Sequence, residues 1–251
     1  MTRFRRVLRS WKNNAPKQSR LPMPEEFAFL ISAALCFHHA PEMGLFHIAL
    51  FCSFLRPSAL MNMCVEDVVP PVKKVAGEFY VLIVAPFERQ ISTKTGYFDE
   101  TVVLDGDVLP GLGKLLFEQG SRRVANAKVA LDSPEGRATK LWGFSAVEFL
   151  NAWRDSVVRL GLQEFMISPY QARHGGASRD YIMKKRSEEE IRARGHWATV
   201  ASARIYRKPG RIQQLVARLK PVKLRLAKDI QKSFCSLYRS DSFRVASGCL
   251  A

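Results

Sequence analysis

The hydrophobic pattern near the start of the chain predicts two buried helices. Apolar residues dominate residues 25–37 and 44–54, and a polar stretch around His38 and His39 separates the two runs. Each run is too short to cross a bilayer, so both are expected to be helices inside a globular core. Another helix is expected to begin at Pro57, because proline suits the first helical position.

The pattern then changes to one typical of strands. Residues 78–85 (EFYVLIVA) and 101–104 (TVVL) are rich in β-branched and aromatic side chains. A turn that contains glycine lies between them at residues 92–96. We therefore expect a small antiparallel sheet whose hairpin carries Lys94 at or near its tip.

Helix signals return in the second half of the chain. Ser145 and Ser187 each begin a Ser-x-x-Glu capping box, which marks a helix start, and Gly161 is placed to end the first of these helices. The Ser168-Pro169 pair predicts one more helix start.

The C-terminal part of the chain predicts further helices. A helix over residues 199–208 should stop at Pro209-Gly210, and residues 211–234 form a basic amphipathic pattern that Pro221 interrupts. The predicted fold class is therefore mainly α with a small antiparallel β-sheet (α+β). We expect three parts: a basic N-terminal arm or remnant at 1–24, a globular domain at 25–210, and a basic amphipathic tail at 211–251.

The net charge of +16 is concentrated in the two ends of the 251-residue chain. Residues 1–20 carry +7 and residues 204–251 carry +10, whereas residues 21–203 carry −1. Basic segments of this kind favour a polyanionic partner, most often nucleic acid. Hydrophobic residues make up 47% of the chain, which is enough for a core and argues against wholesale disorder.

Several classes of protein are disfavoured by what the sequence lacks. The five cysteines have no CxxC spacing, and neither a P-loop nor a GxGxxG motif occurs. The basic N-terminus has no apolar segment of the kind that directs secretion. We expect an intracellular protein with free thiols, no metal, no cofactor and no membrane partner, and we expect His38, His39 and His47 to be helix-end or core residues.

Five polar residues in separated segments suit one reaction. Tyr170 and Arg173 lie three apart near a predicted helix N-terminus, so they share a face that can meet a phosphate. Arg56 lies at another predicted helix start, Lys94 on the hairpin, and Tyr206 in the predicted helix at 199–208.

Such a set can cleave a phosphodiester without a metal ion. A tyrosine hydroxyl attacks phosphorus and becomes a phosphotyrosyl ester. Two guanidinium groups bind the non-bridging oxygens, where charge grows in the transition state. A lysine protonates the departing 5′-oxygen.

The order of four segments resembles the tyrosine recombinases, or phage-integrase-like proteins, over roughly residues 25–210, which correspond to the family's catalytic domain. The segments are FLRPSALMNMCVEDV at 54–68, TKTG followed by VVL at 93–104, PYQARHGGAS at 169–178, and RGHW followed by RIY at 194–206. The resemblance implies that Arg56 and Arg173 are the two catalytic arginines, Lys94 the lysine, and Tyr206 the nucleophile that forms a 3′-phosphotyrosyl link.

Two positions differ from the family pattern, and a third has two candidates. Tyr170 stands where the family's HxxR box has histidine, and Ala59 replaces the acidic residue that usually follows the first arginine by three positions. Trp197 lies nine residues before the tyrosine, the spacing at which the family has histidine or tryptophan, and His196 lies ten before it. We favour Trp197 as the match, donating its indole N–H, with His196 as the substitute. Tyr170 and one of these two rings would orient the phosphate.

The resemblance implies a site-specific DNA recombinase or integrase, typical of mobile elements, that acts as a homo-oligomer on double-stranded DNA, in the nucleus if the host is eukaryotic. A type IB topoisomerase uses the same residue set and is the nearest enzymatic alternative. A catalytically impaired recombinase that only binds DNA is the alternative from another class, and Ala59 and Tyr170 favour it somewhat. The 24 residues before the catalytic domain are too few for the helical DNA-clamping domain that recombinases normally have, so that clamp is expected to be truncated, absent or provided elsewhere.

Other residues of the same chemical types compete for these roles. Lys73, Lys74 and Arg89 lie near Lys94 in sequence, and His174 or Arg179 could replace Arg173 at the phosphate. The alternative tyrosines, Tyr181 and Tyr238, do not have the family spacing.

Overall fold

Two consecutive helices, α1 (Glu25–His38) and α2 (Pro41–Ser53), form the centre of the molecule. Every residue of α1 from Phe27 to Cys36 is buried, and so is every residue of α2 from Gly44 onward. The computed structural model describes residues 21–72, 77–90, 92, 96–199 and 208–239. The two predicted buried helices are confirmed, because apolar runs without a polar face are stable only when neighbours cover them on all sides.

The remaining helices of the described residues surround this pair. They are α3 (Pro57–Met61), α4 (Leu112–Ala127), α5 (Pro134–Ala138), α6 (Ala146–Arg159), α7 (Tyr170–Ile182), α8 (Glu188–Arg194), α9 (Pro209–Ala217) and α10 (Pro221–Arg239). Helix α1 packs against α6, α7 and α10, and α2 packs against α4 and α7. In the part of the chain that the structure describes, none of the helices is long and apolar enough to cross a membrane.

A three-stranded antiparallel sheet completes the fold, and it contains the two strands that the sequence predicts. Strand β2 (Val81–Val84) lies between β1 (Val68–Val69) and β3 (Glu100–Val103). The β2–β3 connection holds a 3-10 turn at Phe87–Arg89, so it is longer than a tight hairpin. Both predicted strands form, but the one predicted at residues 78–85 spans only Val81–Val84. Strand β1 was not predicted.

The helix boundaries follow the local signals in most places. Ser145 and Ser187 form complete capping boxes with Glu148 and Glu190, and Gly161 takes a left-handed φ of 59° just after α6. Pro57 is the first residue of α3, with Arg56 at the N-cap. The start of α7 differs from the prediction: Pro169 is the N-cap and Ser168 makes no side-chain cap.

The two C-terminal helices of the described residues each begin at a proline. Pro209 is the first residue of helix α9, where a proline loses no intrahelical hydrogen bond. The helix predicted over residues 199–208 falls almost wholly outside the described residues. In helix α10, Ala227, Ile230 and Phe234 are buried, and the helix packs on α1 of its own chain. The predicted break at Pro221 is confirmed.

Candidate active site

Arg56 and Arg173, from opposite halves of the chain, line one cavity of about 240 Å³. His196 lines the same cavity. Its other charged lining residues are Arg89, Lys140, Asp67 and Glu100. Cations therefore outnumber carboxylates around this space, which suits an anionic ligand such as a phosphate.

A left-handed residue and a helix start bring Arg56 to the cavity. Phe54 ends α2 with a φ of 57°, which turns the chain, and Arg56 follows in an extended conformation as the N-cap of α3. The Arg56 carbonyl accepts the amide hydrogens of Ala59 and Leu60. Within the described residues its guanidinium has no ion-pair partner, so its charge is available to a bound anion.

Two glycines allow helix α7 to approach the core closely enough to place Arg173. A Cβ on Gly175 would lie 2.1 Å from the Met23 carbonyl oxygen, and one on Gly176 would lie 1.9 Å from the Phe51 carbonyl oxygen. No other residue type fits these positions without moving the helix.

Arg173 is a fixed, buried cation. Its side chain is 1% exposed, although it lines the cavity. Its Nη2 donates to the Gly195 carbonyl, and its guanidinium carbon lies 4.7 Å from the centre of the Trp197 ring. These contacts orient the guanidinium before any ligand binds, which is what electrostatic stabilisation of a transition state requires.

His196 and Trp197 have different surroundings. Trp197 is 7% exposed and belongs to a small apolar cluster with Phe54, Ala177 and Ile191. His196 lines the cavity, and its Nδ1 lies 3.2 Å from Oε1 of Glu100. The residue in the cavity is therefore His196, whereas the spacing to Tyr206 had favoured Trp197.

The protonation state of His196 follows from its burial and its neighbours. Burial and then the positive charges of Arg173, Arg56 and Arg194 lower its pKa from 6.5 to about 4. The imidazole is therefore neutral at physiological pH.

Tyr170 lies in a neighbouring cavity instead of the one that Arg56 and Arg173 share. Its neighbours there are mostly apolar and include Phe46, Pro57 and Phe149, and its ring packs edge-on against His174 at 4.8 Å. The helix face that it was expected to share with Arg173 is thus divided between two cavities.

Two of the predicted site residues, Lys94 and Tyr206, lie outside the described residues, as do the competing Lys73 and Lys74. The competing Arg89 lines the cavity, but its guanidinium pairs with Asp67 and donates to Cys64 Sγ. Arg179 instead pairs with Glu25, Asp107 and Asp180.

Sequence reasoning missed two charged residues of the cavity. Lys140 was not considered, and its Nζ donates to the Asn62 carbonyl at 3.0 Å. Glu100 was not considered because the predicted strand began one residue later. A signal was available, because alternate residues of a strand face the same side and Glu100 alternates with Val102 and Leu104, which are both buried.

The other histidines behave as expected of structural residues. His47 is fully buried and its Nδ1 lies 3.0 Å from Ser32 Oγ, while His39 pairs with Asp155 at a helix end. Within the described ranges, no group of three His, Cys, Asp or Glu side chains is placed to hold a metal ion.

The fold is that of a tyrosine recombinase catalytic domain. The chain is similar to the crystal structure of the XerA recombinase, with a TM-score of 0.51 and 18% identity over 82% of this chain and 66% of that one. It is also similar to the XerH site-specific recombinase bound to its difH substrate in a pre-cleavage complex, with a TM-score of 0.52 and 12% identity over 82% of this chain and 56% of that one.

The chain thus spans less than two thirds of the length of either recombinase structure. No sequence-family model matches it, and no curated protein matches it by sequence.

Proposed function

We propose that this chain is a site-specific DNA recombinase that cleaves and rejoins DNA through a 3′-phosphotyrosyl intermediate. The observation that carries the proposal is the convergence of Arg56 and Arg173 on one cavity, together with a neutral imidazole. Residues so far apart in sequence meet there, and a pair of guanidinium groups is suited to the charge of a pentavalent phosphorus. The likeness to XerA and XerH supports the recombinase fold.

The proposed reaction exchanges one phosphate ester for another. The Tyr206 hydroxyl gives up its proton to a base and attacks phosphorus, the Tyr206–phosphorus bond forms, and the bond from phosphorus to the 5′-oxygen breaks. Arg56 and Arg173 neutralise the non-bridging oxygens, and Lys94 supplies the proton to the 5′-oxygen. The ester bond is kept in the intermediate, so rejoining needs no nucleotide cofactor.

The ring residues have different parts in this proposal. His196 is favoured over Trp197 as the ring beside the reacting phosphate, because it lines the cavity. Trp197 supports the reaction indirectly, through its stacking contact with Arg173. Tyr170 would reach the phosphate only at the border of the two cavities, which share Ser58 and Asn62.

Covalent capture tests the nucleophile. Wild type is incubated with a library of nicked duplexes of randomised sequence, from which the cleaved end cannot rejoin, and SDS-resistant adducts are isolated and sequenced. We expect an adduct with wild type and none with Tyr206→Phe. The matched variant Tyr181→Phe, which removes an alternative tyrosine, should retain it. An adduct that persists in Tyr206→Phe would show that another residue is the nucleophile.

An impaired recombinase that only binds DNA is a second candidate, and the position of Tyr170 favours it. The family's HxxR histidine is missing, and the tyrosine in its place lies in a different cavity from the two arginines. This candidate predicts that wild type shifts duplex DNA in a gel but forms no adduct under the conditions above. Relaxation of supercoiled plasmid by wild type without recombination would instead favour the topoisomerase alternative.

A further inference from the structure

Glu100 is a carboxylate on the inner face of a strand. It is the first residue of β3, it pairs with the buried Val84 of β2, and the next residue on its face, Val102, is 1% exposed. The Glu100 side chain is only 15% exposed. Placing a charged group there costs free energy unless a polar partner compensates, so its partner is informative.

One such partner is His196, which the backbone holds in an unusual conformation. His196 follows α8 with a φ of 49°, in the left-handed region that residues with a Cβ seldom adopt. Its amide hydrogen is bonded to the Ala193 carbonyl oxygen at 3.0 Å, which fixes this turn. The turn places the ring Nδ1 at 3.2 Å from Glu100 Oε1. Strained conformations of this kind persist where the surrounding structure over-determines them.

The carboxylate determines which ring nitrogen carries the hydrogen. A neutral imidazole has one N–H, and an ionised carboxylate can only accept, so the hydrogen is on Nδ1. Nε2 then presents a lone pair. It is buried and has no hydrogen-bond partner within the part of the chain that the structure describes. The charged groups around the ring are Arg56 before α3, Arg173 on α7, Arg194 on α8 and Glu100 on β3.

A lone pair at Nε2 is unsuited to binding a phosphate oxygen, because both atoms are acceptors. It can accept a proton once a bound phosphate offsets the charges of Arg56 and Arg173, which lower the pKa of the ring in the ligand-free site. The chain needs such a group, since Tyr170 replaces the histidine of the HxxR box and Ala59 replaces a carboxylate. Ala59 and Glu100 line the same cavity. Glu100, on strand β3, therefore places a carboxylate in the cavity although position 59 has none.

We propose that Glu100 is a positioning residue that holds His196 in the tautomer whose Nε2 accepts the proton of the attacking Tyr206 hydroxyl. The inference rests on the proposed function. In the balanced step, the tyrosine proton moves to Nε2 as the oxygen–phosphorus bond forms, and the 5′-oxygen leaves with a proton from Lys94. The carboxylate keeps its charge and stabilises the imidazolium, as the acidic member of a catalytic triad does.

Two measurements test the pairing and the role separately. The first is the ring ¹⁵N spectrum of the histidines in the DNA-free protein, with His196 assigned by its loss in His196→Gln. Wild type should show a protonated Nδ1 and an unprotonated Nε2, and Glu100→Leu, which has neither an acceptor nor a donor, should lose this fixed tautomer. The second is the rate of adduct formation, which Glu100→Leu should lower about 100-fold, the range expected for a lost base. The matched variant Glu88→Leu, at an exposed residue of the β2–β3 connection, should leave both unchanged.

The outcomes are distinct. An Nε2–H tautomer in wild type, or a tautomer unaffected by Glu100→Leu, overturns the inference without touching the proposed function. An unchanged adduct rate in Glu100→Leu overturns the positioning role even if the tautomer shifts. If wild type forms no adduct at all, the proposed function fails, whereas the ¹⁵N spectrum still decides the pairing of Glu100 with His196.

Discussion

The guanidinium carbon of Arg173 lies 4.7 Å from the centre of the Trp197 ring, while Nη2 of the same group donates to the Gly195 carbonyl. The segment after α8 therefore contacts one side of the Arg173 side chain, and another side lines the cavity. A planar guanidinium can stack on a ring with its face and form directed hydrogen bonds with its edge, whereas an ammonium has no flat face to stack.

Arg173→Lys should therefore lower the rate of adduct formation by about 10²–10³, the cost of one lost transition-state donor. Single-turnover kinetics on the captured duplex measure the effect. Arg137→Lys, at an exposed position of α5, is the matched control and should keep the wild-type rate. A drop of less than about threefold would mean that Arg173 is a packing residue and not a ligand of the phosphate.

The close approach of α7 to the core predicts that replacing a glycine of this helix with alanine destabilises the fold, the reverse of the usual effect of that substitution. Alanine normally stabilises a helix interior relative to glycine by about 1 kcal/mol. At Gly176 the new Cβ would meet the Phe51 carbonyl oxygen at 1.9 Å, so Gly176→Ala should reduce the free energy of unfolding, by about 3 kcal/mol.

Gly210→Ala is the matched control, because nothing lies within 4 Å of a Cβ at that position of α9. It should leave the free energy of unfolding unchanged or raise it by up to about 1 kcal/mol. Urea denaturation measures both variants. Equal effects at the two positions would contradict the tight packing of α7.

Burial of His47 predicts an acid-sensitive fold. Burial lowers its pKa to about 3 from 6.5. Between these values the unfolded chain binds a proton that the folded chain does not, so stability is present above pH 6.5 and is lost as the pH falls below it. One such group contributes a slope of up to about 1.4 kcal/mol per pH unit.

Urea midpoints measured between pH 7 and pH 5.5 test this dependence. His47→Gln removes the titrating ring, so its stability should fall less steeply with decreasing pH than that of wild type. Its absolute stability at pH 7 should be lower, because the contact with Ser32 is altered. A slope identical to that of wild type would show that His47 does not cause the acid sensitivity.

Helix α10 predicts a salt-dependent contribution to DNA binding. It packs with one face on α1 and exposes Arg225, Lys228 and Lys232 on the other. If these three residues contact phosphates, replacing all of them with glutamine should weaken binding and flatten the slope of log affinity against log salt by about 3.

Fluorescence anisotropy with a labelled duplex at several salt concentrations measures this slope. Asp229→Asn, an exposed acidic position of the same helix, is the control of opposite sign and should bind no more weakly than wild type. An unchanged slope in the triple variant would place the basic face of α10 away from the DNA.

Local signals predicted elements well where a single segment carries all the information. The apolar runs became α1 and α2, the two capping boxes formed as written, and Pro57 began α3. Boundaries were less accurate in the sheet, because the ends of β2 and β3 depend on where partner strands stop. The two-residue strand β1 carries no pattern of its own and exists only through its pairing with β2.

The sequence by itself determined that this chain is mainly helical, that a small antiparallel sheet interrupts the helices, and which residue types could perform phosphodiester chemistry. Those properties follow from periodicity, caps and chemical identity, which are local. Only the tertiary structure decided which residues share a cavity: Arg56 and Arg173 meet with His196 and Glu100, and Tyr170 is separated from them. The physical reason is that side-chain direction depends on how α7, β3 and the turn after α8 pack, and in that turn His196, with its left-handed φ, lines the cavity while the adjacent Trp197 does not.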